Sequence, residues 1–480
     1  MFNFLKSWQL TILFLVIFST FVYMVYKHRK NLFDVLVLLM FYPGLFEYIN
    51  YFTLNTIYRP VVAVLAGYIF ISDNKNIRKV TSDNYGFLFS GFFLVLILLL
   101  SYVTAPYNTL TIFLSQSSRY FVAFFLFYIV KTQIYDYHRG EEILNLFYQI
   151  FCLELLYTIV NFLLFRSIIE GRVASFSYVG GAYGTSLPII GLFVLWLHTK
   201  GNFSGKDWLF AFGLLALGVL AAKRAVVFIY PLVLIALMTF SKGIKINKYI
   251  ILGILFAPLL FYLAVRITPS LNPEYRIWGS FDIDFVMNYS EQYQFGDEEH
   301  IKRVRDIDAR LNRVSLEGGT VEKKYVLVEG RGAATRAVVE RLINEPDKYS
   351  EEYLGYGFGL YHGNMNDSYG YDNVDIPIKP THKGSSSGVF QSYLASGYWG
   401  ILAMILFGFI PFFYFKQWRL GLIIGVMCLW EYFMYTGLIF RTPAFMAVIF
   451  FALHYTNYQI DLQRNQRRLY NESLSYSPGI

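Results

Sequence analysis

Stretches of about twenty mainly apolar residues recur along this 480-residue chain, and they constrain its fold more than any other feature. A bilayer core is about 30 Å thick, and a helix that crosses it needs roughly 20 such residues. Windows of that kind fall at 8–26, 32–50, 57–72, 86–104, 119–135, 143–165, 179–198, 208–222, 225–240 and 249–266. Three more, at 389–415, 419–435 and 438–456, follow a long polar gap. Only helices and closed barrels satisfy their backbone groups in lipid, and windows of this length fit helices. The pattern predicts an all-α polytopic membrane protein of about 12–13 transmembrane helices. Charged residues are only 15% of the chain, against about 25% in an average soluble domain. That balance excludes a soluble enzyme, a disordered chain and a small secreted scaffold. Cys152 and Cys428 both lie in apolar stretches, so neither a disulfide framework nor a CxxC site is indicated.

The first window is read as a retained span. No small-residue cleavage site follows it, and the basic run Lys27-His28-Arg29-Lys30 does. Lys and Arg in short loops mark the cytoplasmic side. Every second connection is basic: Lys27/Arg29/Lys30, Lys75/Arg78/Lys79, Lys131/Arg139, Lys200/Lys206, Lys242/Lys245/Lys248 and Lys416/Arg419, then Arg464/Arg467/Arg468 in the tail. The expected arrangement has the N-terminus outside and the C-terminus in the cytoplasm. It comprises an N-terminal bundle of about ten helices (1–266), an extracytoplasmic loop subdomain (267–386), C-terminal transmembrane helices (387–456) and a basic cytoplasmic tail (457–480). The loop holds 14 Lys and Arg against 20 Asp and Glu, a net of −6, so the overall +8 leaves +14 elsewhere. Most of that is orientation charge rather than a sign of an acidic partner. Within the loop, 298–312 and 333–344 have helical apolar spacing, 320–329 alternates as a short strand does, and 364–380 reads as loop. No internal repeat or low-complexity tract is present.

Against this pattern the informative residues are cations at the wrong ends of spans: Arg119, Arg166, Arg172, Lys223, Arg224 and Arg266. Each opposes the orientation rule and is costly near hydrocarbon. As a group they suggest an anion on the outer side, because the fixed donor fork of guanidinium suits phosphate and diphosphate. The plainer reading of any one of them is snorkelling to headgroups or pairing with a buried acid such as Glu154 or Glu431. His382, where the long loop returns to the membrane, is placed to donate to a phosphate oxygen or accept a proton from a sugar hydroxyl, or simply to cap a helix. Asp367, Asp372 and Asp375 just upstream are candidate bases or solvated loop acids. The segment Gly355-Tyr356-Gly357-Phe358-Gly359 lacks the strand and the Lys-Ser/Thr of a nucleotide loop. It reads as a tight turn that brings backbone close to a ligand or the membrane surface. Asp34, Glu47, Glu154 and Glu431, inside spans, fit a transporter's proton relay or helix–helix hydrogen bonding equally well.

Taken together, these segments resemble the O-antigen polymerases and O-antigen ligases, integral-membrane glycosyltransferases acting on lipid-diphosphate-linked glycans. The similarity rests on ordered, individually short motifs over about 165–415. Gly171-Arg172-Val173-Ala174-Ser175-Phe176 followed by Gly180-Gly181-Ala182-Tyr183-Gly184 is similar to the family's Arg, small residues and Gly where a span begins. Ala222-Lys223-Arg224-Ala225 keeps the Arg of the next element, with Lys in place of the usual Ser. Arg331 and Arg336, leading to Asn344-Glu345-Pro346 and then Gly355–Gly359, resemble the Arg-bearing loop helix. Thr381-His382-Lys383 ahead of Gly397-Tyr398-Trp399-Gly400 resembles the family's His element, with Lys in place of Asn.

The resemblance implies a reaction at the outer face of the bacterial cytoplasmic membrane. A glycan on undecaprenyl diphosphate passes to an acceptor hydroxyl, and neither a metal nor a cofactor takes part. Arg172 and Arg224 would clamp the diphosphate, with Arg119, Lys223 and Arg266 in support. Arg331 or Arg336 would reach in from the loop. His382 would touch the phosphate or activate the acceptor. Partners so implied are the lipid-linked glycan, the bilayer, and a chain-length regulator and flippase of the same pathway, with no nucleic acid. Polymerisation of repeat units is the preferred expectation, in O-antigen, capsule or exopolysaccharide synthesis. The alternatives are a ligase that transfers the glycan to lipid A core or another acceptor, and a lipid-linked glycan flippase or other transporter. The chain lacks the related halves with matching interrupted helices that many transporters show.

Overall fold

The structure is a computed structural model that describes residues 2–475 except 51–52, 74–75, 79–83, 106–108, 167–172, 178–182, 222, 240–257, 260, 269–270, 277, 300, 303–325, 345–350, 359, 361–375, 381–385 and 436. It is mostly helical. The chain opens with α1 (Trp8–His28), α2 (Leu32–Phe41) and α3 (Pro43–Ile49). Next come α4 (Arg59–Ser72), α5 (Tyr85–Thr104), α6 (Leu110–Gln133) and α7 (Tyr137–Phe165). They are followed by α8 (Tyr183–His198), α9 (Gly205–Leu220) and α10 (Arg224–Thr239). The described parts of the polar segment form α11 (Ile283–Phe295), β1 (Val326–Val328), α12 (Arg331–Asn344), α13 (Glu351–Leu354) and β2 (Ile378–Pro380). The chain continues through α14 (Gly388–Phe413), α15 (Trp418–Met434), α16 (Leu438–Arg441) and α17 (Pro443–Ser475).

Among the described residues α1, α5, α6, α7 and α14 are long and apolar enough to cross a membrane, and the bent pair α2–α3 makes a sixth. α4, α8 and α10 are shorter apolar helices. The molecule is thus a mainly helical, multi-pass membrane protein, whose described residues include five or six helices of membrane-spanning length. Two differences from the apolar windows have clear causes. The window at 32–50 is not one helix, because Pro43 has no amide to continue the ladder; Tyr42 bonds back to Leu39 at 3.2 Å and α3 leaves at 55°. The window at 119–135 begins too late. Thr109 caps α6 through the Ile112 amide (3.4 Å), so the polar run Ser115-Gln116-Ser117-Ser118-Arg119 lies inside the helix.

A helix that is apolar all round belongs in a core, and α8 is one: every residue from Gly184 to Leu197 is buried. The first half of α17, Ala444–Tyr455, and the first eleven residues of α14, Gly388–Tyr398, are buried in the same way. α1 and α5 instead expose Leu15, Phe18, Phe89, Phe92 and Val103, as lipid-facing helices do.

The helix at 333–344 appears as α12. Of 298–312, residues 298–299 and 301–302 are described and helical. The expected strand at 320–329 narrows to β1, with 320–325 outside the described residues and Glu329 just past the strand. Residues 378–380, expected as loop, are a strand that pairs in parallel with β1, Val326 opposite Ile378. Pro377 and Pro380 push the residues before them into extended backbone, and Ile376 and Ile378 are buried. The described part of the glycine-rich turn is Gly355–Phe358. It packs into a kink of α14, where the Tyr356 and Gly357 amides donate to the Leu394 carbonyl (2.8 and 3.0 Å). Gly397 sits in that kink at φ +65° with the backbone of Glu352 and Tyr353 against its α-carbon, which leaves no room for a side chain.

At the opposite end, Arg139 of α7 forks onto Asp34 of α2 (2.5 and 3.2 Å) and also reaches Glu142 (3.0 Å); Asp34 and Arg139 are both buried. Arg139→Leu is expected to strand the Asp34 charge and to destabilise the protein by about 3–5 kcal/mol. The double change with Asp34→Leu should recover much of that loss. Thermal unfolding of the three proteins in detergent measures both.

Candidate functional site

The cations gather where α6, α8 and α10 begin and where α12 and α13 dock, the loop end of the bundle. Docking is direct: the Thr335 hydroxyl of α12 bridges Ser387 Oγ (2.6 Å) and the Phe433 carbonyl (2.7 Å). Arg119 stands nine residues into α6, or about 14 Å along the helix at 1.5 Å per residue. One turn earlier, Ser115 accepts a bond from Arg59 at the start of α4 (2.9 Å), which brings the two guanidinium groups onto one face. Arg441 ends α16, a short helix held in place by Glu431, which accepts from the Ile439 amide (3.2 Å).

Arg59 and Arg441 both lie close enough to Arg119 to repel it, and the other described residues in its electrostatic surroundings are Tyr183 and Tyr120. Tyr183, the first residue of α8, is the common neighbour of Arg59, Arg119, Arg441 and Glu47. Its ring is fixed against Phe176 (5.3 Å) and Phe445 (6.3 Å). Three guanidinium groups and one acid thus act electrostatically on the Tyr183 hydroxyl within an apolar bundle. Like charges at low effective dielectric repel strongly, so gathering them in one place is costly. Guanidinium forks and a phenol are suitable donors for phosphate oxygens.

Two further cations border this site. Lys223 lies between α9 and α10, and its Cγ packs at the α-carbon of Gly184, next to Tyr183. Gly184 and Gly218 permit that approach: a methyl on either would overlap Ala221 or Val226. Arg331, first in α12, lies over the Tyr435 ring at 4.1 Å. The Tyr435 hydroxyl bonds Thr185 of α8 at 3.0 Å, which ties the loop helix to the helix that carries Tyr183.

The remaining sequence candidates fare differently. Arg172 and His382 lie outside the described residues, and of Arg224 the backbone alone is described, as the first residue of α10. Arg266 serves its own loop: Nε donates to the Gly279 carbonyl (2.9 Å), Nη1 to the Tyr262 hydroxyl (3.0 Å), and Tyr262 and Trp278 flank it. Arg336 is exposed and pairs along its helix with Glu340 (2.6 Å). Arg166 caps α7 in a left-handed conformation. Asp367, Asp372 and Asp375 are outside the described residues.

Arg59 and Arg441 do not figure among the sequence candidates. Each lies inside an apolar window, where averaging hides a single charge, although both oppose the orientation rule as Arg119 does. Arg341 was also missed. It bonds the fully buried Glu352, which accepts from Tyr393 as well (2.9 Å). Burial alone would lower the pKa of Arg341, but the bond to Glu352 and its negative charge outweigh this and raise it. This pair fastens α12 to α13 beside the α14 kink. Among the described residues no three His, Cys, Asp or Glu side chains form a metal-binding group.

Arg119→Gln removes one of three mutually repelling charges. The ligand-free protein should therefore be at least as heat-stable as wild type, while affinity for inorganic diphosphate falls roughly ten- to a hundredfold, the loss of one or two charge-assisted bonds. Calorimetric titration with thermal unfolding checks both signs.

No family model matches the chain, and no curated protein matches it.

Proposed function

We propose that this protein polymerises undecaprenyl-diphosphate-linked oligosaccharide repeat units at the outer face of the bacterial cytoplasmic membrane. The observation that carries this reading is the convergence of Arg59, Arg119 and Arg441 on Tyr183, beneath a docked loop. An exposed phosphate ligand does not need an arginine such as Arg119 about 14 Å along a membrane helix. A diphosphate anchored by a polyprenyl tail is held at the bilayer and suits such a place.

In the reaction, an acceptor hydroxyl attacks the anomeric carbon of the donor sugar, and the bond to the diphosphate oxygen breaks. Charge develops on the departing lipid diphosphate, and preorganised guanidinium groups stabilise it without reorganising at that moment. Arg119, Arg59 and Arg441 supply that field, with Lys223 beside them. Arg172 and Arg224 complete the clamp in this reading, and Arg331 reaches in over Tyr435. His382 takes the acceptor proton or holds a phosphate oxygen. The docked α12 and α13 restrict water, which strengthens every charge interaction underneath.

Purified protein given only the lipid-diphosphate repeat unit should produce a ladder of lengthening glycans. Arg119→Ala, Arg172→Ala, Arg224→Ala and His382→Ala should each abolish it while the protein remains membrane-inserted. A product that appears only when a second acceptor is added means ligase. Movement of the lipid without a new covalent bond means transporter. Ladders of normal length in all four variants would sink the assignment.

A further inference from the structure

We propose that Glu154 is a binding site for a small cation, a proton or Na+, built against the break between α2 and α3. This inference is independent of the glycan reading. Glu154 lies on α7 with 1% exposure, and neither of its carboxyl oxygens accepts a hydrogen bond from the described residues. Its three polar neighbours come from three elements. Tyr42 stands at the helix break and Tyr157 is one turn along α7. The Ser175 amide, in the loop 173–177, approaches the carboxyl without closing a hydrogen bond of good geometry. No guanidinium, ammonium or imidazole of the described residues contributes to its electrostatic surroundings.

The other intramembrane acids show how unusual this is. Asp34 is forked by Arg139, Glu431 accepts from the Ile439 amide, and Glu47 borders the arginine cluster. A carboxylate in an apolar interior without countercharge or a closed hydrogen bond is strongly disfavoured, so the group takes up a positive charge. The neighbours suit that task. Tyr157 and Tyr42 share a hydrogen bond of 3.0 Å, and Tyr157 also bonds Thr20 of α1. Hydroxyls turn freely between donating and accepting, so this chain can face a carboxylate in one state and a cation in the other. Broken membrane helices with unwound backbone are a recurring setting for proton and Na+ sites.

The site also has a mechanical neighbour. Ser175 fills the helix break: its carbonyl accepts from the Gly44 amide (2.7 Å) and its hydroxyl donates to the Phe41 carbonyl (2.9 Å). All five residues Val173–Ser177 are buried. The cation occupancy of Glu154 therefore acts on the seat of the segment that directly follows Arg172.

The test is infrared difference spectroscopy on the full-length protein in bilayers, wild type against Glu154→Gln, which keeps the shape and removes the charge. A protonated-carboxyl stretch present in wild type at neutral pH and missing from the variant identifies a proton site; Tyr157→Phe should shift that band. Carboxylate stretches that move when Na+ is exchanged for choline identify a Na+ site, and wild type alone should then gain heat stability with Na+. A carboxylate signal that responds to neither pH nor Na+ overturns the proposal.

Discussion

A helix broken inside an apolar bundle leaves amides and carbonyls with no water to bind, so another piece of the chain has to fill the gap. Three such gaps organise the loop end of this protein. Ser175 fills the break at Tyr42–Pro43. Tyr356 and Gly357 fill the kink of α14 at Ser396–Gly397. Between α15 and α17, Gly388 donates to the Tyr435 carbonyl, and Glu431 receives the Gly437 amide on its backbone and the Ile439 amide on its side chain. The first two filling segments are irregular, the third gap is closed from the ends of two helices, and the groups that close all three are buried.

The arginines depend on these repairs. Arg441 is carried by the segment that spans the third gap, Tyr183 starts the helix that follows the first filling loop, and Arg331 reaches the bundle through Tyr435 in the third. Arg59 and Arg119 come from ordinary helices but meet there through Ser115. The positive site is thus assembled where regular structure fails, which is also where the loop helices can dock. The buried Asp34–Arg139 pair at the opposite end, with its charges matched, presents no comparable excess.

How far the sequence carried these features differs by residue. Apolar length predicted the helical membrane class, and helical spacing placed α12, although Val338 is buried while Val339, Leu342 and Ile343 are exposed. The orientation rule singled out Arg119 and Lys223, since a charge against the rule needs a reason. The same rule applied inside the windows reveals Arg59 and Arg441, but a hydropathy average erases one guanidinium among apolar neighbours. The strand at Ile378–Pro380 and the nesting of Gly355 into α14 were not legible, because each depends on a partner far away in the chain. Glu154 looked the same as Asp34, Glu47 and Glu431 in sequence; only their neighbours separate them.

By itself, the sequence determined the environment of this protein: apolar runs of membrane length, basic connections at alternate loops, and a few cations out of place. Those properties are local and additive, so they survive without a fold. Tertiary structure decided which cations lie together, which acid among the described residues has no countercharge, and which loop segments enter the bundle. These outcomes depend on distances between residues tens to hundreds of positions apart, and the need to satisfy each broken helix fixed them together.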